Sequence, residues 1–206
     1  IFPDVFMMLL AEDLLRKNSK GSIVFDVKCS ANLKKIIKDF NGTPIMSRTG
    51  HSYIKSKIVE TSALLGGEMS GHIFFNDDWY GFDDAIYSAL RIIEVLSKRK
   101  LTTHEVFKSY PKYFATPEIN LKISEQDKFK IIDEIKLLIK SSEYDLIDID
   151  GIRLENENSW GLVRASNTSP NLVLRFEGRT ENDLLEIKNY FKEILSKIEI
   201  DLQLDF

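Results

Sequence analysis

Apolar and polar residues alternate in two distinct rhythms along this chain. Near the start, Val5-Phe6-Met7-Met8-Leu9-Leu10 leads a stretch of helical composition to about residue 17, with Asp4 placed to cap it. Residues 22–27 form a short, mostly apolar run of the kind expected for a buried parallel strand. Ser30 then stands before a helical stripe of Leu33, Ile36, Ile37 and Phe40, which Gly42 is expected to stop. The same alternation repeats. A strand is expected at 43–47, a helix to about residue 60, strands at 62–65 and 73–75, and a turn at Trp79-Tyr80-Gly81-Phe82. Asp83 follows as the expected cap of a long helix with Ile86, Leu90, Ile93 and Leu96 inward.

Beyond residue 97 the rhythm changes. Lys98-Arg99-Lys100 and two prolines mark a connector with a short helix in it, reaching to about residue 117. A strand is expected at 119–123 and a helix at 125–141 with a stripe of Phe129, Ile132, Ile135 and Ile139. Three strands are expected at 151–155, 160–164 and 172–177, and a final helix to residue 198, opened by Thr180 or Asn182. Strands alternating with helices predict an α/β domain, three layers with a mixed sheet between helices. Helices flanking a meander predict a small α+β domain with an antiparallel sheet after it.

Composition narrows the function classes. Of 206 residues, 43% are hydrophobic and 29% charged, which fits a globular protein able to bury real cores. The net charge of −4 gives no basic footprint for nucleic acid. No apolar run reaches the roughly 18 residues of a membrane span, and no signal-peptide pattern opens the chain. Cys29 is the single cysteine, so no internal disulfide forms, in keeping with a cytoplasmic location. The chain opens on Ile1 without an initiator Met and is expected to begin inside a longer one.

Candidate chemistry gathers at two loops. The first, Gly66-Gly67-Glu68-Met69-Ser70-Gly71-His72, packs an acid, a hydroxyl and an imidazole between glycines. Such a rim suits hydrogen bonding to a small hydroxylated ligand, since a carboxylate accepts and Ser and His do either. Glu68 and His72 would suit a metal pair only on a helix, which the glycines oppose, and no third ligand sits at useful spacing. The second loop, Arg164-Ala165-Ser166-Asn167-Thr168-Ser169-Pro170, reads as an anion cradle, with a two-pronged guanidinium and a shell of hydroxyls. An ordinary hairpin loop fits the same letters. His51, after Thr49-Gly50, is a candidate proton carrier. Lys28 and His51 follow expected strands, as the Glu68 loop does, and in α/β sheets ligands gather at that edge. Asp148 and Asp150 would share one strand face and are expected at an exposed edge and turn. Cys29 has no evident activating partner.

Four motifs, Thr49-Gly50-His51-Ser52, Gly67-Glu68-Met69-Ser70-Gly71-His72, Trp79-Tyr80-Gly81-Phe82-Asp83-Asp84 and Arg164-Ala165-Ser166-Asn167-Thr168, resemble in order those of the α-D-phosphohexomutases. The match is nearest to the bacterial phosphomannomutase/phosphoglucomutase branch. The resemblance implies the third and fourth of four domains, here 1–100 and 118–206 joined by 101–117. It implies sugar contacts from Lys28, Thr49, Gly50, His51, Glu68, Ser70 and His72, and a phosphate loop of Arg164, Ser166, Asn167 and Thr168. His51 and His72 are the implied carriers of hydroxyl protons.

The implied reaction moves phosphate between the 1- and 6-hydroxyls of mannose or glucose through a phosphoserine and a hexose 1,6-bisphosphate. The family's phosphoserine loop and its Asp-Gly-Asp-Gly-Asp-Arg magnesium loop belong to its first two domains and are not among these residues. Magnesium and domains 1 and 2 are thus the expected missing parts, with no metal ligand here, and the chain alone is expected to be inactive. A non-catalytic phosphosugar-binding module is the competing expectation. A phosphoglucosamine mutase fragment is another, though Met69 stands where that branch resembles Glu-Gln-Ser-Gly-His.

Overall fold

Strand β1 (Ser22–Asp26) shows how the first part of the chain is layered. Its side chains alternate by strand geometry. Ile23 and Phe25 enter one apolar core, and Val24 enters another on the opposite face. In the computed structural model, which describes residues 1–139, 143–198 and 204, β1 pairs in parallel with β2 (Thr43–Ser47) and β3 (Leu65–Gly67). Strand β4 (Ile73–Phe75) runs antiparallel to β3, giving a mixed sheet in the order β2-β1-β3-β4. The larger core takes residues from helices α1 (Pro3–Lys17), α2 (Ala31–Asp39) and α4 (Ala85–Ser97). Helix α3 (His51–Thr61) covers the other face through Ile54 and Ile58. Helices on both faces of a mixed sheet make the expected three layers.

The first compact unit spans Ile1–Lys112. Helix α5 (Thr103–Ser109) lies in the stretch expected as a connector. It starts with a capping box of Thr102 and Glu105, and Val106 and Phe107 enter the larger core. Tyr110 follows and donates to the Glu12 carboxylate. Burial, reinforced by that bond, pushes the Tyr110 hydroxyl well above the ordinary tyrosine value.

Several local expectations are corrected. Asp4 does not cap α1: Phe2 is the N-cap, Pro3 takes the first position, and the Asp4 carboxylate accepts from Ser30 N at 3.0 Å. Asn41, not Gly42, takes the left-handed conformation after α2. Asp84, not Asp83, caps α4, accepting from Tyr87 N at 2.9 Å. The inward face of α4 is also turned. Ser88, Arg91 and Val95 are buried, whereas Ile86, Leu90 and Ile93 are exposed. The helix is apolar on more than one side, so periodicity admits two stripes. Packing selects one: Tyr87 stacks on Trp79 at 4.1 Å, and the Arg91 guanidinium lies 4.6 Å over Phe75.

The expected strand at 62–65 starts later, because Ser62 is a left-handed C-cap, and it runs into the glycines. Gly66 and Gly67 are buried strand residues. A Cβ on Gly66 would stand 2.5 Å from Ile58 Cδ1, and one on Gly67 2.6 Å from Met7 Sδ. They serve close packing of helices on both faces rather than loop freedom.

The second unit, Tyr113–Phe206, is built on antiparallel strands in the order β5-β10-β9-β8-β7, with β6 also on β10. These are β5 (Phe114–Ala115), β6 (Ile119–Lys122), β7 (Asp145–Ile147), β8 (Ile152–Glu155), β9 (Ser159–Ala165) and β10 (Asn171–Gly178). Helices α6 (Asp127–Leu138) and α7 (Glu181–Leu195) share one core with Ile152, Leu154, Val163, Leu172, Leu174 and Phe176. The short strands β5 and β7 are additions to the expected meander. Thr180, not Asn182, caps α7 with a reciprocal Asp183 box.

Helix α6 buries Ile131 and Ile135 and exposes Phe129, so its stripe is shifted from the expected one. Residues 140 and 141 of the expected helix lie outside the described residues. Among the described residues, no helix is long and apolar enough to cross a membrane.

Candidate functional site

Parallel pairing sets Asp26 opposite Ser47 and Phe25 opposite Gly67, so β1, β2 and β3 end at one edge of the sheet. The segments that follow each strand meet there. Asp26, the fully buried last residue of β1, ties them together. Its carboxylate accepts from Thr49 Oγ1 at 2.9 Å, Met69 N at 3.1 Å and Cys29 Sγ at 3.2 Å. Lys28 is buried beside it, with Nζ 3.9 Å from Asp26 Oδ2.

Glu68 makes a second tie. It is 3% exposed, and its two oxygens accept from Gly50 N at 3.2 Å and Ser70 Oγ at 3.1 Å. The turn closes with Glu68 N donating to His72 O and Gly71 N to Glu68 O. Glu68 thus braces the Gly50 and Ser70 segments, while Ser70 and Gly71 form the exposed lip.

Those braces bring two imidazoles side by side. The His51 ring, on the first residue of α3, stands 4.1 Å from the His72 ring at an interplanar angle of 69°. Asp83 joins them. Its Oδ1 accepts from Ile73 N at 3.2 Å, and Oδ2 lies 2.7 Å from His72 Nδ1 and 3.8 Å from His51 Nε2. An isolated bridge between Phe74 and Asp83 holds the acid beside β4. A hydrogen-bonded carboxylate on one ring nitrogen selects the tautomer that leaves the other as acceptor. No third ligand follows Glu68 and His72 in sequence, yet in space His72 meets Asp83 and His51, and Glu68 turns away to Gly50.

The second unit holds the other expected loop. Strand parity puts Val163 in the core and Arg164 on the opposite face. Arg164 is buried, and it donates from Nε to Asp150 Oδ2 at 3.0 Å and from Nη2 to Asp150 Oδ1 at 3.4 Å. Asp150 is therefore no exposed turn acid but the buried partner of this arginine. The exposed-edge expectation fits only Asp148, which pairs with Lys136.

Gly151, at φ 80°, makes the Asp150 pairing possible. A Cβ there would lie 2.4 Å from Val163 O and 2.6 Å from Arg164 Cα. The loop itself is wound around Ser166. Its Oγ accepts from Ser169 Oγ at 2.9 Å, Ser169 N at 3.2 Å and Thr168 N at 3.3 Å. The buried Lys128 ammonium donates to Ser166 O at 2.7 Å and Ser169 O at 3.4 Å. Asn167 and Thr168 are exposed at the tip.

The structure thus gathers Lys28, Thr49, Gly50, His51, Glu68, Ser70 and His72 at one sheet edge. It builds Arg164, Ser166, Asn167 and Thr168 into one loop of the other unit. Asp26 and Lys128 escaped the sequence reading, and Asp83 entered it as a helix cap and motif residue but not as a partner of the histidines. Asp26 left a signal, an acid ending an apolar strand. Asp83 was masked by its neighbour Asp84, since either could cap α4. Lys128 gave no signal, because a helix-surface lysine looks the same.

Comparison with known proteins agrees with both halves. Residues 2–113 match the phosphoglucomutase/phosphomannomutase alpha/beta/alpha domain III, and residues 118–194 match the phosphoglucomutase/phosphomannomutase C-terminal domain. The chain is 47% identical over 206 residues to a phosphomannomutase/phosphoglucomutase of Pseudomonas putida, covering all of this chain and 44% of the relative. It is 43% identical over 197 residues to a phosphoglucomutase of Neisseria meningitidis, covering 95% of this chain and 43% of that one. A crystal structure of a phosphoglucomutase/phosphomannomutase family protein from Burkholderia thailandensis superimposes with a TM-score of 0.90 at 39% identity. It covers 98% of this chain and 43% of that one. The chain spans less than half the length of the curated relatives it matches. The two domain matches together take in nearly all of these residues, and the chain belongs to the phosphoglucomutase/phosphomannomutase family.

Proposed function

We propose that this chain is the sugar- and phosphate-holding part of a phosphohexomutase that interconverts hexose 1-phosphate and hexose 6-phosphate. The observation that supports it most is the edge of the first sheet. There Asp26 and Glu68 brace three loops, so that His51 and His72 stand 4.1 Å apart beside Asp83.

In this reading Ser70 and the outer faces of the two imidazoles meet the sugar hydroxyls, and Thr49, Gly50 and Glu68 hold the frame. His72 Nδ1–H is donated to Asp83, which leaves Nε2 to take a proton from a hydroxyl and return it. His51 is the second proton carrier. In the other unit Asn167, Thr168 and the loop N–H groups receive the phosphate that is not transferred. Arg164 supplies positive charge: its guanidinium has five N–H donors, of which two go to Asp150. Positioning and charge stabilisation carry most of phosphoryl transfer, which suits a holding role for these residues. The phosphoserine and the magnesium loop expected for the family are not among these residues.

Titration of the 206-residue chain with glucose 1,6-bisphosphate, followed by NMR, tests the reading. Signals of the His51 and His72 rings and of the Asn167 and Thr168 amides are expected to move. Thr168→Ala, at an exposed tip, is expected to weaken binding several-fold without altering the thermal melt. Unmoved imidazole signals at saturation would overturn the sugar site. With glucose 1-phosphate, magnesium and the bisphosphate primer, the chain alone is expected to give no turnover.

A further inference from the structure

The edge of the first sheet also has the makings of a transition-metal site. Two imidazoles and a carboxylate there present three ligand atoms, all within 4.8 Å of one another. The donors come from three separate segments: the first turn of α3, the β3–β4 turn and the loop after β4. No sequence spacing announces such a set.

We propose that His51, His72 and Asp83 form a binding site for a divalent transition cation, with zinc as the ion of best fit. The donor set is two nitrogens and one oxygen, which suits zinc and its neighbours rather than magnesium, an ion that favours six oxygens. Tetrahedral zinc with bonds of about 2.0–2.2 Å needs ligand atoms about 3.3 Å apart. The separations from Asp83 Oδ2 are 2.7 Å to His72 Nδ1 and 3.8 Å to His51 Nε2, one slightly short and one slightly long. The two ring nitrogens stand within 4.8 Å of each other, and partial exposure gives the side chains room to rotate toward that spacing. His51 is 51% exposed, His72 43% and Asp83 27%.

The carboxylate is already oriented. Ile73 N holds its Oδ1 and leaves Oδ2 toward both rings. Outer hydrogen bonds of this kind are what fix a metal ligand in place. His51 is further seated edge-on against Phe74, with centroids 5.5 Å apart. Zinc would replace the proton shared by His72 Nδ1 and Asp83 Oδ2, and the partial exposure leaves its fourth position to water. With His51 and His72 as proton carriers, zinc and sugar phosphate exclude one another, a consequence that rests on the proposed function. The site itself rests on geometry alone.

Isothermal titration of the untagged, metal-free 206-residue chain with zinc chloride tests the site, with no sugar present. One saturable site is expected, undisturbed by excess magnesium. Cobalt in its place is expected to give visible bands of four- or five-coordinate intensity. His51→Ala, His72→Ala and Asp83→Asn should each weaken zinc by at least about tenfold. Asparagine keeps an oxygen for Ile73 N, and circular dichroism checks that each variant is folded. The chain has three histidines, and His104→Ala should leave the affinity unchanged. Loss of binding with His104→Ala, or retention in the other three variants, would overturn the proposal.

Discussion

The two units solve the same problem by opposite means. In the first, the candidate site is assembled from segments far apart in sequence. Asp26 and Glu68 reach across from one strand end to the next, and every brace is a carboxylate accepting from a neighbouring loop. In the second, the candidate loop is one hairpin connection that folds on itself. Ser166 winds the turn, Lys128 closes it from α6, and Asp150 holds Arg164 at its base. A parallel sheet places its loops side by side but joins none of them covalently, so it needs bridging acids. An antiparallel hairpin already has its strands paired on both sides of the loop.

The comparison can be broken most sharply at Gly151. Alanine there must hold a left-handed φ and meets the β9 backbone at Val163. The expected cost to the second unit is about 3–5 kcal/mol. Hydrogen exchange would show β8, β9 and β10 amides losing protection together, with β1 and β3 unchanged. Equal protection in variant and parent would mean that Asp150 needs no glycine beside it. Arg164→Ala is a poor probe of ligand binding for a related reason: it removes the partner of a buried acid, a change that is itself strongly destabilising.

Asp26→Asn is the matching change in the first unit and should act more gently. The amide keeps one acceptor oxygen, so Thr49 or Met69 loses its partner, at about 2 kcal/mol. A lower melting temperature is expected, together with broadened His51 and His72 signals as the loops come apart. Sharp, unshifted imidazole signals would show that Glu68 alone braces the edge.

The smallest effect is alkaline. Burial, and then the bond to Glu12, raise the folded value of Tyr110 above its ordinary 10.0. Below pH 10.0 the hydroxyl is neutral folded or unfolded, and its contribution is fully present. Above that value the unfolded chain releases the proton first. It then binds fewer protons than the folded chain, and stability falls as pH rises toward the folded value. Tyr110→Phe should flatten this decline in the first unit. It should leave that of Tyr144 in the second, whose hydroxyl burial also raises. An unchanged alkaline slope in Tyr110→Phe would place the titration elsewhere.

Much of the architecture was legible beforehand. Strand β2 lies where it was expected, β1 within one residue, and Ser30 caps α2 as its position before an apolar stripe suggests. The reading failed where two local solutions were equally good. Asp83 and Asp84 can each cap a helix, and α4 has two apolar faces. Only Trp79, Phe75 and Asp77 around Tyr87 and Arg91 decide which is buried. The polar loops that meet at the sheet edge were legible, but the bonds among them were not. Glu68 reads in the sequence as a rim acid, and the structure adds that its two oxygens accept from Gly50 N and Ser70 Oγ.

By itself, the sequence determined the order of elements, the change from an alternating α/β part to an antiparallel one, and the loops that carry polar side chains. These follow from periodicity and turn chemistry, which act over a few residues. Tertiary structure decided that Asp26 is a buried hub, that Asp150 belongs to Arg164, and that His51, His72 and Asp83 share one place. Those pairings span 11 to 43 residues. They exist because strand register sets chain ends opposite one another, and because a buried polar group must find a partner within reach.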